Sequence, residues 1–163
     1  MKRLILVRHG KSSWEYDLTD KLRPLLKRGI TDGDLVSSHF KTLDYHIDFV
    51  YSSPANRAYS TCEIFLNTLK IPDEKVKKVE SLYTFNDKEV VKFIKSVDNK
   101  LETIMIFGHN NAFNDVVNSL GSEHIDNLPT TGLAIIEFDT DKWENVKRGT
   151  TKELLTPKEL KKS

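Results

Sequence analysis

The sequence predicts an α/β fold in which a mostly parallel sheet is covered by helices on both faces. Three observations lead there. Leu4-Ile5-Leu6-Val7 and the later run Ile104-Met105-Ile106-Phe107 are short, apolar and rich in branched residues, as strands buried on both faces are. Segments with apolar residues at helical spacing alternate with such runs, the signature of successive strand-helix units. Both runs also end in a histidine, as Arg8-His9-Gly10 and as Gly108-His109-Asn110. In open α/β sheets the carboxyl ends of the strands are where ligands bind, because the loops leaving them vary while the strands stay rigid.

The elements follow in order. After the first strand, Leu26, Ile30, Val36, Phe40 and Leu43 recur at three- to four-residue multiples and predict a helix over about 26–43, although Gly29 and Gly33 weaken it. Ile47 to Tyr51 reads as the second strand. Ser53 then stands as N-cap with Pro54 at the first helical position, opening a helix to about Leu69. Val76 to Val79 is a short strand interrupted by lysines. Asn86, with Glu89 three residues on, resembles a capping box and starts a helix with Val90, Val91, Ile94 and Val97 on its apolar face. The run from Thr103 to Phe107 follows, with Gly108 expected to let the backbone turn closely. A helix from about Asn110 to Leu120 closes at Gly121, and Leu133 to Phe138 is the last strand. From about residue 151 the tail is polar and Lys-rich, carrying Leu154, Leu155 and Leu160, and is expected to lie against the domain or fray.

The 163 residues suit one domain, 1–163, large enough to bury roughly two thirds of the surface the unfolded chain exposes. A formal net charge of +1 from 25 basic and 24 acidic side chains gives no long-range field for nucleic acid or an anionic membrane. The single cysteine, Cys62, cannot close an internal disulfide and reads as a helix-packing residue. Met1 leads directly into a strand with no signal-peptide core, and no run approaches the roughly 20 apolar residues of a membrane span. The expectation is a soluble, cytoplasmic protein with neither nucleic acid nor membrane as partner.

Local charge must then carry the function. Arg57 sits one turn inside the helix opened by Ser53, where free backbone N–H groups and the positive dipole end favour an anion. Guanidinium groups grip phosphate oxygens bidentately and stay charged, so Arg8 and Arg57 suit a dianionic phosphoryl group. Arg23, in Arg23-Pro24-Leu25, is a third candidate, or a surface residue braced by Asp17 or Asp20. His9 can act as a nucleophile if one ring nitrogen is free and the other is held. His109 can donate to a non-bridging oxygen as charge spreads in the transition state. His39, His46 and His124 fall in helix or loop without matching partners and read as structural or exposed. Neither a Gly-rich Lys-Ser/Thr loop nor Cys/His zinc spacing is present.

The segments LILVRHGKSSW, DKLRPLLKRG, YSSPANRAYSTCEI, IFGHNNAFNDVV and LPTTGLAIIEF, in this order and spacing, resemble the histidine phosphatase superfamily and, within it, the small SixA-like phosphohistidine phosphatases. The resemblance implies a three-layer α/β/α sandwich of the phosphoglycerate mutase-like kind and a transiently phosphorylated histidine, with no metal or other cofactor. His9 would be that nucleophile, and Arg8, Arg57 and His109 would complete the phosphate pocket. Arg23 would add a phosphate contact, with Ser12 and Asn110 as further substrate-binding positions. Leu26 stands where relatives often have Thr or Asn, and Asn111 where many have Pro.

Larger members that cleave alcohol esters use a carboxylic acid shortly after the third strand, and Glu80 is the nearest candidate here. An alkoxide needs such an acid, a contribution of roughly 10²- to 10⁴-fold. Imidazole, with an ordinary pKa of about 6.5, needs it less. The expected activity is therefore removal of phosphate from phosphohistidine on a protein. A phosphomonoesterase for small phosphorylated substrates is the alternative, and a phosphate-dependent binding module without turnover is a further one.

Overall fold

The computed structural model describes residues 1–13 and 19–162. Asp17, one of the two braces expected for Arg23, lies outside the described residues. The described residues form a six-stranded sheet in the order β3-β2-β4-β1-β5-β6. Its strands are β1 (Lys2–Arg8), β2 (Phe49–Ser52), β3 (Val76–Lys78), β4 (Thr103–Gly108), β5 (Leu133–Phe138) and β6 (Thr150–Leu155). The β1–β4, β2–β4 and β2–β3 pairs are parallel, while β5 runs antiparallel to both β1 and β6.

Because side chains alternate across a strand, each central strand feeds two cores. Leu4, Leu6, Ile104, Ile106, Ala134 and Ile136 face α3 (Asp87–Lys95) and α4 (Ala112–Leu120). Ile5, Val7, Met105, Phe107, Leu133 and Ile135 face α1 (Lys27–Thr42) and α2 (Asn56–Leu69), with Leu160 of α5 (Pro157–Lys161) packed against the same cluster. This is the α/β/α sandwich. Burial of both faces explains why β1 and β4 read as continuous apolar runs.

Several local expectations need correction. Ser53 does not cap α2: the helix begins at Asn56 behind Ala55, and the Ser53 hydroxyl is drawn elsewhere. Asn86 does cap α3, accepting from the Lys88 amide at 3.0 Å, but the reciprocal half of a capping box is replaced, since the Asn86 amide donates to Thr84 Oγ1. Gly108 makes no special turn, and its lack of a side chain serves packing: a Cβ there would lie 2.6 Å from the Phe113 ring. The polar tail is ordered into β6 and α5, the latter capped by Thr156 with Pro157 at its start.

α1 starts right after Leu26, and its Gly29 lies against the loop that follows β1. A Cβ on Gly29 would stand 2.4 Å from the Lys11 carbonyl oxygen, so this loop can rest on the helix backbone only because residue 29 is glycine. The chain leaves β1 toward α1 on one face and leaves the adjacent β4 toward α4 on the other. A crevice opens where neighbouring strands send their connections to opposite faces.

Candidate active site

Strand register brings the two histidines together. Arg8 lies opposite Gly108 in the parallel β1–β4 pair, and the His9 amide donates to the Gly108 carbonyl at 3.0 Å. One residue further along each strand, the His9 and His109 rings face each other with centroids 5.2 Å apart. β2 lies on the other side of β4, and the Ser53 amide donates to the Phe107 carbonyl at 2.9 Å, which delivers Ser53 to His109. From the β5 side, the Thr131 amide donates to the carbonyls of both Arg8 and His9 at 3.1 Å. Thr131 adopts φ 60°, an uncommon conformation for a β-branched residue, in making this clasp.

Hydrogen bonding sets the state of His9. Its Nδ1 lies 2.7 Å from the Gly10 carbonyl oxygen, which can only accept, so Nδ1 carries the proton and Nε2 keeps its lone pair. Burial lowers the His9 pKa to about 4, opposed by the Gly10 hydrogen bond and reinforced by the positive charges of Arg57, Arg8 and Arg23. The imidazole is neutral at physiological pH. His109, fully buried, is lowered to about 3, first by burial and then by His9 and Arg57. Its Nε2 meets Ser53 Oγ at 2.8 Å, while its buried Nδ1 has no hydrogen-bond partner among the described residues.

A cavity of about 310 Å³ opens here, lined by Arg8, His9, Ser12, Arg23, Arg57 and Asn110, together with Lys11, Asp20, Phe85 and Thr130. Arg57, in the first turn of α2, is almost entirely buried. It donates to the Asp20 carbonyl at 2.6 Å and to Asp20 Oδ2 at 2.9 Å. Arg23 donates to the Ser13 carbonyl, Ser12 Oγ and Asp20 Oδ1 at 3.0, 2.6 and 3.1 Å. Arg8 donates to the Leu128 carbonyl at 2.9 Å, and burial lowers its pKa. The Asn110 amide shares that carbonyl at 2.8 Å while its Oδ1 accepts from the Asn114 amide, so much of its capacity goes to fixing the start of α4.

Glu80 does not join them. It lies in the 3-10 turn Glu80–Leu82, its side chain is mostly exposed, and it pairs with Lys21 at 3.4 Å, outside the cavity. The carboxylate that lines the cavity is Asp20. Burial pushes its pKa up, but hydrogen bonds from Tyr83 and Arg57, the Arg57 charge and a hydrogen bond from Arg23 hold it down at about 2. Sequence reasoning named Asp20 only as a brace and missed Ser53, Tyr83 and Phe85 as neighbours of the site. Cys62 is buried with its thiol pushed up to about 12, chiefly by burial, which leaves it without nucleophilic character at neutral pH.

Residues 4–83 match the histidine phosphatase superfamily (branch 1), and the match contains His9, Arg23 and Arg57. That segment carries the pattern of the histidine phosphatase superfamily. A chloroplastic protein of Arabidopsis thaliana, itself uncharacterized, is 28% identical over 152 residues, spanning 88% of this chain and 69% of that protein. Among solved structures, the protein histidine phosphatase SixA complexed with tungstate superposes with a TM-score of 0.83 at 22% identity, covering 97% of this chain and 99% of the other. A phosphoglycerate mutase from Bacillus anthracis superposes with a TM-score of 0.70 at 15% identity, covering 99% and 96%. At these identities the likeness is one of fold, and the two proteins that share it are named for different reactions. The activity has to be argued from the site.

Proposed function

We propose that the protein is a SixA-like phosphatase that works through a phosphohistidine intermediate and removes phosphate from phosphohistidine on a protein. The observation that carries this reading is the His9 tautomer: Nδ1 is committed to the Gly10 carbonyl, leaving the Nε2 lone pair beside a cavity lined by three arginines. In the first step Nε2 forms a bond to phosphorus as the P–N bond of the substrate breaks. The departing ring nitrogen keeps the electron pair. If the other nitrogen of that ring already carries a proton, neutral imidazole leaves and no acid is needed. Water then forms a bond to phosphorus, the bond to Nε2 breaks, and inorganic phosphate is released with His9 regenerated.

Arg8, Arg23 and Arg57 neutralise the non-bridging oxygens, and Nδ1 of His109 donates to one of them when its proton sits there. Leaving-group chemistry favours the phosphoramidate over an ester. Asp20, held at about 2, is ionised in the free protein and has no proton to give an alkoxide, and Glu80 lies outside the cavity.

The test is phosphate release from a phosphohistidine-bearing protein and from a panel of phosphomonoesters, with His9→Ala alongside. Higher kcat/KM on the phosphohistidine and no turnover by the variant are expected. Higher efficiency on the small esters would replace the reading with a phosphomonoesterase. No turnover, and no phosphoryl group trapped on the protein by an acid-free rapid quench, would make it a binding module.

A further inference from the structure

The cavity is polar on every side but one. Among the described residues that line it, Phe85 is the one apolar side chain, and it is 57% exposed in a protein whose other large aromatic and aliphatic side chains are mostly covered. Its ring lies edge-on to His109 with centroids 5.7 Å apart at 67°, and edge-on to Tyr83 at 6.4 Å and 72°. Tyr83 itself contacts His109 at 5.3 Å. The three rings form a small aromatic shelf beside the phosphoryl site. The backbone behind the shelf is fixed, since the Thr84 hydroxyl accepts from the Asn86 amide and Asn86 caps α3.

A phosphoryl group has no use for an exposed phenyl ring, because its oxygens are recognised by charge and hydrogen bonds. The leaving group has. We infer that Phe85 is a specificity-determining residue whose free face stacks on a planar ring leaving group, in this site the imidazole of the phosphohistidine, as the ring departs from phosphorus. Offset or edge-to-face contact between rings adds attraction beyond simple area burial, and a protonated imidazole gains further from the ring quadrupole. This inference rests on the proposed phosphohistidine reaction and adds to it a means of recognising the ring rather than the phosphate.

Two phosphoramidates that differ only in the leaving group test it: free phosphohistidine, which expels histidine through its imidazole nitrogen, and phosphoramidate, which expels ammonia. Phe85→Ala should shift the ratio of kcat/KM between the two by about three- to tenfold against phosphohistidine, the size of one ring-on-ring contact. Phe85→Trp should restore the ratio, whereas Phe85→Leu, which keeps the apolar surface without a ring face, should not. An unchanged ratio in Phe85→Ala would overturn the inference while leaving the proposed reaction standing. If the wild type hydrolyses neither compound, the proposed reaction fails and this inference fails with it. The side chain is exposed, so loss of fold is not expected to confuse the result, and circular dichroism of each variant checks it.

Discussion

Ser53 Oγ lies 2.8 Å from His109 Nε2 and also accepts from the Ala55 amide at 3.2 Å. With one lone pair taken by the amide, the hydroxyl can give its proton to Nε2, and the imidazole proton then sits on Nδ1, the buried nitrogen without a partner. That is the tautomer a phosphoryl oxygen requires. Ser53→Ala should free the ring to protonate Nε2 and lower kcat by about tenfold or more, below the roughly 10²- to 10³-fold of losing such a donor outright. Ser53→Cys, a weaker donor, should fall between. The readout that separates tautomer control from packing is ¹⁵N NMR of the His109 ring: the protonated nitrogen should change in the alanine variant.

In the free protein Asp20 occupies two of the guanidinium groups that a phosphoryl group would use. An anionic ligand must displace it, and although both guanidinium groups are nearly covered the Asp20 side chain is 39% exposed, so solvent screens the carboxylate and its hold is modest. Asp20→Asn is expected to tighten inhibition by inorganic phosphate about two- to fivefold, the range for an ion pair screened by solvent on its carboxylate side. Weaker inhibition would mean that the carboxylate holds Arg23 and Arg57 in position and does not compete for them. Tyr83 also hydrogen-bonds this carboxylate, so Tyr83→Phe should move inhibition in the same direction by less.

The depressed pKa of His9 fixes a pH dependence. With the free-protein value at about 4, the acid limb attributable to His9 as the proposed nucleophile in kcat/KM should fall near pH 4, and activity should not decline through 6.5 for that reason. Stability follows from the same shift. The unfolded histidine titrates near 6.5, so between about 6.5 and 4 the unfolded state binds more protons than the folded one. The stability that depends on neutral His9 is therefore fully present above 6.5 and is lost as pH falls through that window. Urea midpoints of His9→Gln should decline less between pH 7 and pH 5 than those of the wild type.

The central frame was legible because its signals are local. Branched apolar runs marked β1, β4 and β5, and helical spacing marked α1 from Leu26 to Leu43, within a residue of its ends. The pairing of His9 with His109 could be read from two strand ends, because parallel neighbours bring their carboxyl ends to one rim. β6 escaped because an edge strand with alternating exposure, Thr150–Leu155, has no apolar run to show. α5 is five residues long, too short for a periodicity to develop, although Thr156-Pro157 carries a start signal. Ser53-Pro54 imitated that same signal, but the hydroxyl serves the distant His109 and the Ala55 amide ahead of the helix. Asp20, Tyr83 and Phe85 sit in 3-10 turns and loops whose direction no spacing rule gives. Glu80, nearest in sequence to the expected acid position, turns instead to Lys21 and solvent.

Two glycines in α1 offer opposed outcomes to one substitution. Helix propensity alone favours alanine over glycine by about 1 kcal/mol at either place. At Gly33 a Cβ would meet Ile64 Cδ1 at 2.9 Å, the mobile end of a side chain that can turn aside, so Gly33→Ala should be close to neutral. At Gly29 the obstacles are the Lys11 carbonyl oxygen at 2.4 Å and the Lys11 amide nitrogen at 3.0 Å, and backbone cannot rotate away. Gly29→Ala should therefore cost about 1–3 kcal/mol, the range for overpacking, and should outweigh the propensity gain. It should also lower turnover, because the displaced segment holds Gly10, whose carbonyl fixes the His9 tautomer, and Ser12, which accepts from Arg23. Thermal melts and steady-state rates of both variants check the pair. Equal stability in the two would mean that the loop after β1 is not braced on the Gly29 backbone.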